Sequence, residues 1–109
     1  RLLVADALSF AQGYSPDVLI DLATLTGACV VALGSHTTGL VGNDPDLALK
    51  VKAAGERTGE RVWEFPSGKE YREQLKSEIA DLKNVGGREA GAITAGLFLK
   101  EFVGGRPWV

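Results

Sequence analysis

Eight residues, Asp21-Leu22-Ala23-Thr24-Leu25-Thr26-Gly27-Ala28, follow directly on the apolar run Val18-Leu19-Ile20. Two threonines and a glycine thus stand where a buried strand hands over to a helix. At the carboxyl end of a strand in an open α/β sheet, the chain turns and its backbone N–H and C=O groups leave the ladder, and ligands bind there. The chemistry suited to such a segment is alignment of a polar substrate through the main chain. A hydroxyl-rich N-cap for the next helix accounts for the same residues. Composition alone does not choose between the two.

The other chemically capable residues point to little by themselves. There is no His-Glu-x-x-His, no paired Cys-x-x-Cys and no Walker-type loop. His36 lies in a Ser-His-Thr-Thr stretch after a helix and reads as a surface or capping residue. Cys29 sits in an apolar helix and reads as plain burial. A nucleophilic triad of Ser35, His36 and an aspartate finds no support in the spacing. Asp6, within a helix, and Asp21, at a strand end, are of a type usually found as caps, ion pairs or solvated groups. The glycine amides of residues 84–88 could hold an anion, and a tight turn is the plainer reading.

The elements that must position these residues alternate between helix and strand, which implies an α/β architecture. Residues 1–14 read as a helix with Leu3, Ala7, Phe10 and Ala11 on one face and Gly13 as its stop. Residues 18–22 form a short run expected of a strand covered on both faces. Residues 27–33 are a small apolar helix stopped by Gly34, and 37–41 a strand broken by Gly39. Asp44 and Pro45 open a helix as cap and first residue. Leu47, Val51 and Ala54 line one of its faces, and Gly55 and Gly59 end it. Residues 62–65 are extended. A helix opens at Ser67-Gly68 with Tyr71, Leu75 and Ile79 spaced by four, ending near Lys76. Residues 81–88 are an ordered loop. Residues 90–103 are a helix with a core stripe of Ala92, Ala95, Gly96, Leu99 and Phe102. Close packing justifies Gly91 and Gly96 there.

Composition excludes several classes. With 109 residues the chain is about one domain. A formal net charge of −2 with dispersed basic residues leaves no footprint for nucleic acid or an anionic membrane. No apolar run approaches a membrane span, and no signal-peptide pattern is present. One cysteine cannot form an internal disulfide, which suits a reduced, cytoplasmic setting. A chain without methionine that begins at Arg1 and closes on Pro107-Trp108-Val109, the pattern of a strand's first residues, reads as a piece of a longer protein.

Asp21 to Ala28 resembles a segment of the leucyl aminopeptidases, the M17 family of two-metal cytosolic exopeptidases. The resemblance continues through Gly59-Glu60-Arg61-Val62-Trp63, Tyr71 to Ser77, Ile79 to Asn84, Ala90 to Ala95, Lys100 to Val103 and Pro107-Trp108. It covers essentially the whole chain in the right order. It implies part of a three-layer α/β/α zinc-peptidase-like C-terminal catalytic domain with a mixed central sheet, spanning residues 1–109. Of the family signature Asn-Thr-Asp-Ala-Glu-Gly-Arg-Leu only Arg1-Leu2 stands here. By the resemblance, the ligands of two divalent ions, Zn or Mn, and the catalytic lysine lie upstream, so no metal ligand falls in this chain. Arg1 would hold a bicarbonate that shuttles the proton of the attacking water. The main chain at Thr24, Leu25 and Gly27 would contact the substrate, Thr24 would edge the side-chain pocket and Val85 would add an apolar wall. Peptide substrates and a homohexamer are implied, and the 109 residues alone are expected to be inactive. A catalytically dead scaffold or binding subunit is the competing reading of the same resemblance. A stand-alone small α/β domain is the third.

Overall fold

The computed structural model describes residues 1–109. Its framework is a set of extended segments whose pairings explain why so many short apolar runs recur in the sequence. β1 (Thr38–Leu40) and β2 (Val62–Glu64) pair in parallel, with Thr38 opposite Val62 and Leu40 opposite Glu64. A second parallel ladder joins residues 18–21 to 107–109. In it Leu19 N–H donates to Pro107 O, Val109 N–H to Leu19 O and Asp21 N–H to Val109 O, at 2.8–3.1 Å. The two ladders meet at Asn43, whose N–H donates to Trp108 O. Gly42 lies against Val109. Both strand pairings in this chain are parallel.

Asn43 makes that junction with its side chain as well. Its Nδ2 donates to Arg106 O and its Oδ1 accepts from Trp108 N–H, both at 2.8 Å. The amide acts as an inserted peptide rung between two stretches of backbone. Nothing in the local sequence announces this, because Asn43 reads as the approach to a helix.

Alternate side chains of a strand point to opposite faces, and buried residues lie on each face. Leu19, Trp108 and Val41 face the larger core with α1 (Leu2–Ala11) and α5 (Gly91–Lys100); Leu40 and Val109 face Ala48 of α3 (Pro45–Thr58). The result is the helix–sheet–helix layering of an α/β domain. No helix is long and apolar enough to cross a membrane.

α5 departs from the expected stripe. All residues from Gly91 to Leu99 are buried except Ala92, which is half-buried. It is an all-round buried helix, and a stripe cannot describe it. Gly96 is required there, since a Cβ would lie 2.6 Å from Val41. The helix ends at Lys100, three residues short of the expected Val103, and Gly104 and Gly105 follow in left-handed conformation.

α1 also turns a different face inward. Ala5 and Leu8 are buried, with Val4 and Ala11 packed beside them, while Leu3 and Phe10 are 84% and 72% exposed. Apolar residues occupy most of this helix's circumference, so periodicity admits two faces and only the neighbours select one. A 3₁₀ turn (Gln12–Tyr14) follows, and Ser15 at φ 51°, not Gly13, ends it. In the run 18–22 only Leu19 is buried, so the strand is not covered on both faces here.

α2 (Gly27–Leu33) has the expected limits, with Gly34 following at φ 71°. Asp44 caps α3 by accepting from Leu47 N–H at 2.8 Å, with Pro45 as first residue. α3 runs through Gly55 to Thr58 before Gly59 stops it; the expected early stop fails because Gly55 packs directly on the Glu60 carbonyl. Gly39 does not break β1 but lies within it. α4 (Lys69–Glu73) is shorter than expected: Leu75 is fully buried beyond its end, and Ile79 is 98% exposed. Residues 74–90 form no regular element apart from turns.

Candidate functional site

The Thr24–Gly27 turn is positioned by three constraints. Segment 18–21 is locked into the ladder with 107–109, which fixes where the chain emerges. Leu25 packs on the larger core. Thr26 then caps α2, its hydroxyl oxygen accepting from Ala28 N–H at 3.2 Å. The capping reading of the hydroxyls thus holds for Thr26. It leaves Thr24 and Gly27 exposed, with no backbone hydrogen bond made by Thr24 or Leu25 N–H. A β-carbon added to Gly27 would meet no atom within 4 Å.

Residues 20–27 form one wall of a cleft of about 890 Å³. β1, α3 and α5 supply the others through Gly39, Val41, Val51, Ala54 and Gly96. The lining is mostly apolar with a few polar residues among it, the usual make-up of a site that orients a ligand. Cys29 also lines it and is half-buried, its sulfur 2.8 Å from where a β-carbon on Gly39 would sit. It packs as a small apolar group, though less deeply than expected.

Asp21 lines the same cleft. Its Oδ2 accepts from Trp108 Nε1–H at 2.5 Å. Burial pushes its carboxyl above the ordinary 3.8, and the hydrogen bond from Trp108 opposes that in part. The carboxylate ties two strands together at their upper end, a role that its position at a strand end allowed without naming the partner.

Arg1 and Val85 lie elsewhere. Neither lines the cleft. The Arg1 guanidinium donates through Nη1 to the Asn84 carbonyl, which brings Arg1 to the 84–88 loop and so near Val85 in sequence. Partial burial lowers the guanidinium's pKa from its ordinary value, and the group keeps its charge. Arg1 makes no ion pair, so its other N–H donors are uncommitted. Val85 is exposed. The site residues therefore fall into two groups, Thr24–Gly27 on the cleft and Arg1 with the 84–88 loop. Ser35, His36 and Asp6 are all exposed and come together with nothing catalytic.

In open α/β sheets ligands bind in the crevice outside the carboxyl ends of the strands, and the Thr24–Gly27 turn stands at such an end and lines the cleft. The whole chain, residues 1–109, matches the cytosol aminopeptidase family, catalytic domain, and belongs to that family. It is 57% identical over 109 residues to a "Probable cytosol aminopeptidase" of Alkaliphilus oremlandii, covering 100% of this chain and 22% of that protein. It is 58% identical over 108 residues to one of Geotalea uraniireducens, covering 99% and 22%. A solved structure of a mutant tomato leucine aminopeptidase is 45% identical, with a TM-score of 0.93 over 96% of this chain and 21% of that one. The chain thus spans about a fifth of the length of these relatives.

The family is one of metallopeptidases. No three His, Cys, Asp or Glu side chains gather within reach of one ion. Two close cations need several hard oxygen ligands. These residues do not fit such a site.

Proposed function

We propose that this chain is the substrate-aligning part of the C-terminal catalytic domain of a two-metal aminopeptidase, which removes N-terminal, preferably apolar, residues from peptides. The observation that carries this reading is the turn at Thr24–Gly27. It is anchored on both sides, the N–H groups of Thr24 and Leu25 make no backbone bond, and it opens on an apolar cleft. In this reading Thr24, Leu25 and Gly27 hold the substrate backbone, and Thr24 edges the pocket for the first side chain. Val85, in the loop that Arg1 contacts, would wall the side-chain pocket beyond the cleft itself, which it does not line.

Arg1 suits an anion, since a fixed guanidinium with free donors captures a planar carboxylate-like group in two parallel bonds. The anion proposed there is bicarbonate, which when bound would supply a base for the proton of the attacking water. The two cations, Zn or Mn, would be held by residues outside these 109. A homohexameric assembly is proposed on the exposed apolar residues Leu3, Phe10 and Val31. A cytoplasmic setting agrees with the names of the relatives and the single free cysteine.

The test is Gly27→Ala in the full-length natural polypeptide that carries this sequence. The added methyl meets nothing in the fold, and in a first helical turn alanine stabilises by up to about 1 kcal/mol. Hydrolysis of leucine p-nitroanilide with Mn²⁺ is expected to fall by about tenfold or more while Tm stays level or rises. Unchanged kcat/KM would sink the assignment of Gly27. A wild-type polypeptide that binds peptides without hydrolysing them would favour the scaffold reading.

A further inference from the structure

Gly91 opens α5 in ordinary helical conformation. Backbone freedom therefore does not explain a glycine there, and alanine is the better helix former. Space explains it. A β-carbon on Gly91 would lie 3.0 Å from the β-carbon of Ala28, whereas carbon atoms rest at about 3.5–4.0 Å. Ala28 is the second residue of α2 and follows Gly27 directly. The first turns of α2 and α5 thus meet at one point, Ala28 against Gly91.

Each of these helix starts carries one group of the site residues. The Thr24–Gly27 turn runs directly into α2. The 84–88 loop rests on the first turn of α5 through Gly86. A β-carbon on Gly86 would lie 3.2 Å from both Thr94 Cγ2 and Gln74 Cβ. Thr94 is fully buried and bonded into the same turn. Its hydroxyl donates to Gly91 O at 3.3 Å and its N–H to Ala90 O at 2.9 Å. The chain enters that turn through Ala90 at φ 51°, a left-handed conformation uncommon for a residue other than glycine. Such a conformation persists only where the surroundings over-determine it, and it gathers at sites that hold ligands. The path from Val85 to Gly27 runs through Gly86, Thr94, Gly91 and Ala28, with no long side chain in it to absorb a displacement.

We propose that Gly91 is a positioning residue: by letting α5 approach α2 at Ala28, it sets the distance between the Thr24–Gly27 turn and the Val85 loop, and with it the fit of a substrate side chain between them. The role rests on the aminopeptidase reading. A methyl group on Gly91 drives the two helix starts apart by about 0.5–1 Å, the shortfall of a 3.0 Å contact from carbon–carbon rest distance. A misplacement of about 1 Å, even from a change remote from the chemistry, costs up to about 10²-fold in rate.

The test compares Gly91→Ala and the pair Gly91→Ala with Ala28→Gly in the full-length natural polypeptide with Mn²⁺, well below Tm. In Gly91→Ala, kcat/KM for leucine p-nitroanilide is expected to fall about tenfold. Alanine p-nitroanilide, whose methyl is too short to span the two walls, should lose far less. A merely structural role would lower the active fraction and so reduce both substrates equally. The pair moves the methyl group from Ala28 to Gly91, restores the spacing and should return leucine turnover to within about twofold of the wild type. Unchanged kinetics in Gly91→Ala, equal losses on the two substrates, or a loss that Ala28→Gly does not recover would each overturn the proposal. A wild type that hydrolyses nothing counts against the aminopeptidase reading, and the spacing is then read from the affinity for Leu-Gly-Gly by calorimetry. The same loss and recovery in affinity would support the role of Gly91. Unchanged affinity in Gly91→Ala, or no binding by the wild type, would overturn it.

Discussion

Asp21 shows how one side chain can serve structure inside a site. Its position at the end of a strand is readable from the sequence; its partner, Trp108, is 87 residues away and is not. The carboxyl is raised above 3.8, chiefly by burial. The folded state therefore binds the proton more tightly than the unfolded chain does. Stability from this group is fully present below the ordinary carboxylate value and is lost as pH rises through the raised one. Asp21→Asn keeps an acceptor for Trp108 and removes the ionisation. At pH 7 it is expected to match or exceed the wild type in urea midpoint, and its advantage should narrow toward pH 4. An advantage that widens on acidification would contradict the assigned direction. Thr26 makes the complementary point at the same scale. A threonine before an apolar helix is legible as a cap, and it caps α2 as read. That Thr24 two residues earlier stays exposed depends on the packing of Leu25 between them.

Among the elements, local chemistry determined the helix starts and only some of the stops. Asp44-Pro45 begins α3 and Gly34 ends α2, because caps and glycines act within one turn of themselves. Faces were less legible. α1 exposes Leu3 and Phe10 although both lie on an apolar stripe, since the helix carries a second stripe and the core took that one. The strand junction at Asn43 was not legible at all, because its three bonds go to residues 106–108. Asn43→Ala strips two side-chain bonds from buried or half-buried backbone. It is expected to cost about 2–3 kcal/mol and to lower Tm by roughly 8–20 °C. A calorimetric shift under about 2 °C would show that the amide rung contributes little to the junction.

At the scale of the molecule, only 18 of 109 residues are buried, while Leu3, Phe10, Leu22, Val31 and Ile79 are all more than 70% exposed. The apolar surface exceeds what a small sheet and five helices cover. No group of acidic or histidine side chains is assembled for a metal. The 109-residue polypeptide is therefore expected to leave leucine p-nitroanilide intact, with or without added Zn²⁺ or Mn²⁺. Release of p-nitroaniline above the buffer rate, abolished by a chelator, would show that these residues hold a working metal after all.

The sequence alone determined the α/β alternation, the caps, the turn at Thr24–Gly27 and, through its ordered matches, the family. Each of these is written in neighbouring residues or in the order of local motifs. Only the tertiary structure decided which helix faces are buried, that α5 is enclosed on all sides, and that Asp21 meets Trp108 and Arg1 meets the Asn84 carbonyl. It also separated Arg1 and Val85 from the cleft that Thr24, Leu25 and Gly27 line. Those facts rest on contacts between residues distant in the chain. Such contacts are set by competition among apolar surfaces and unpaired backbone groups for the same few partners, and local spacing carries no record of which one wins.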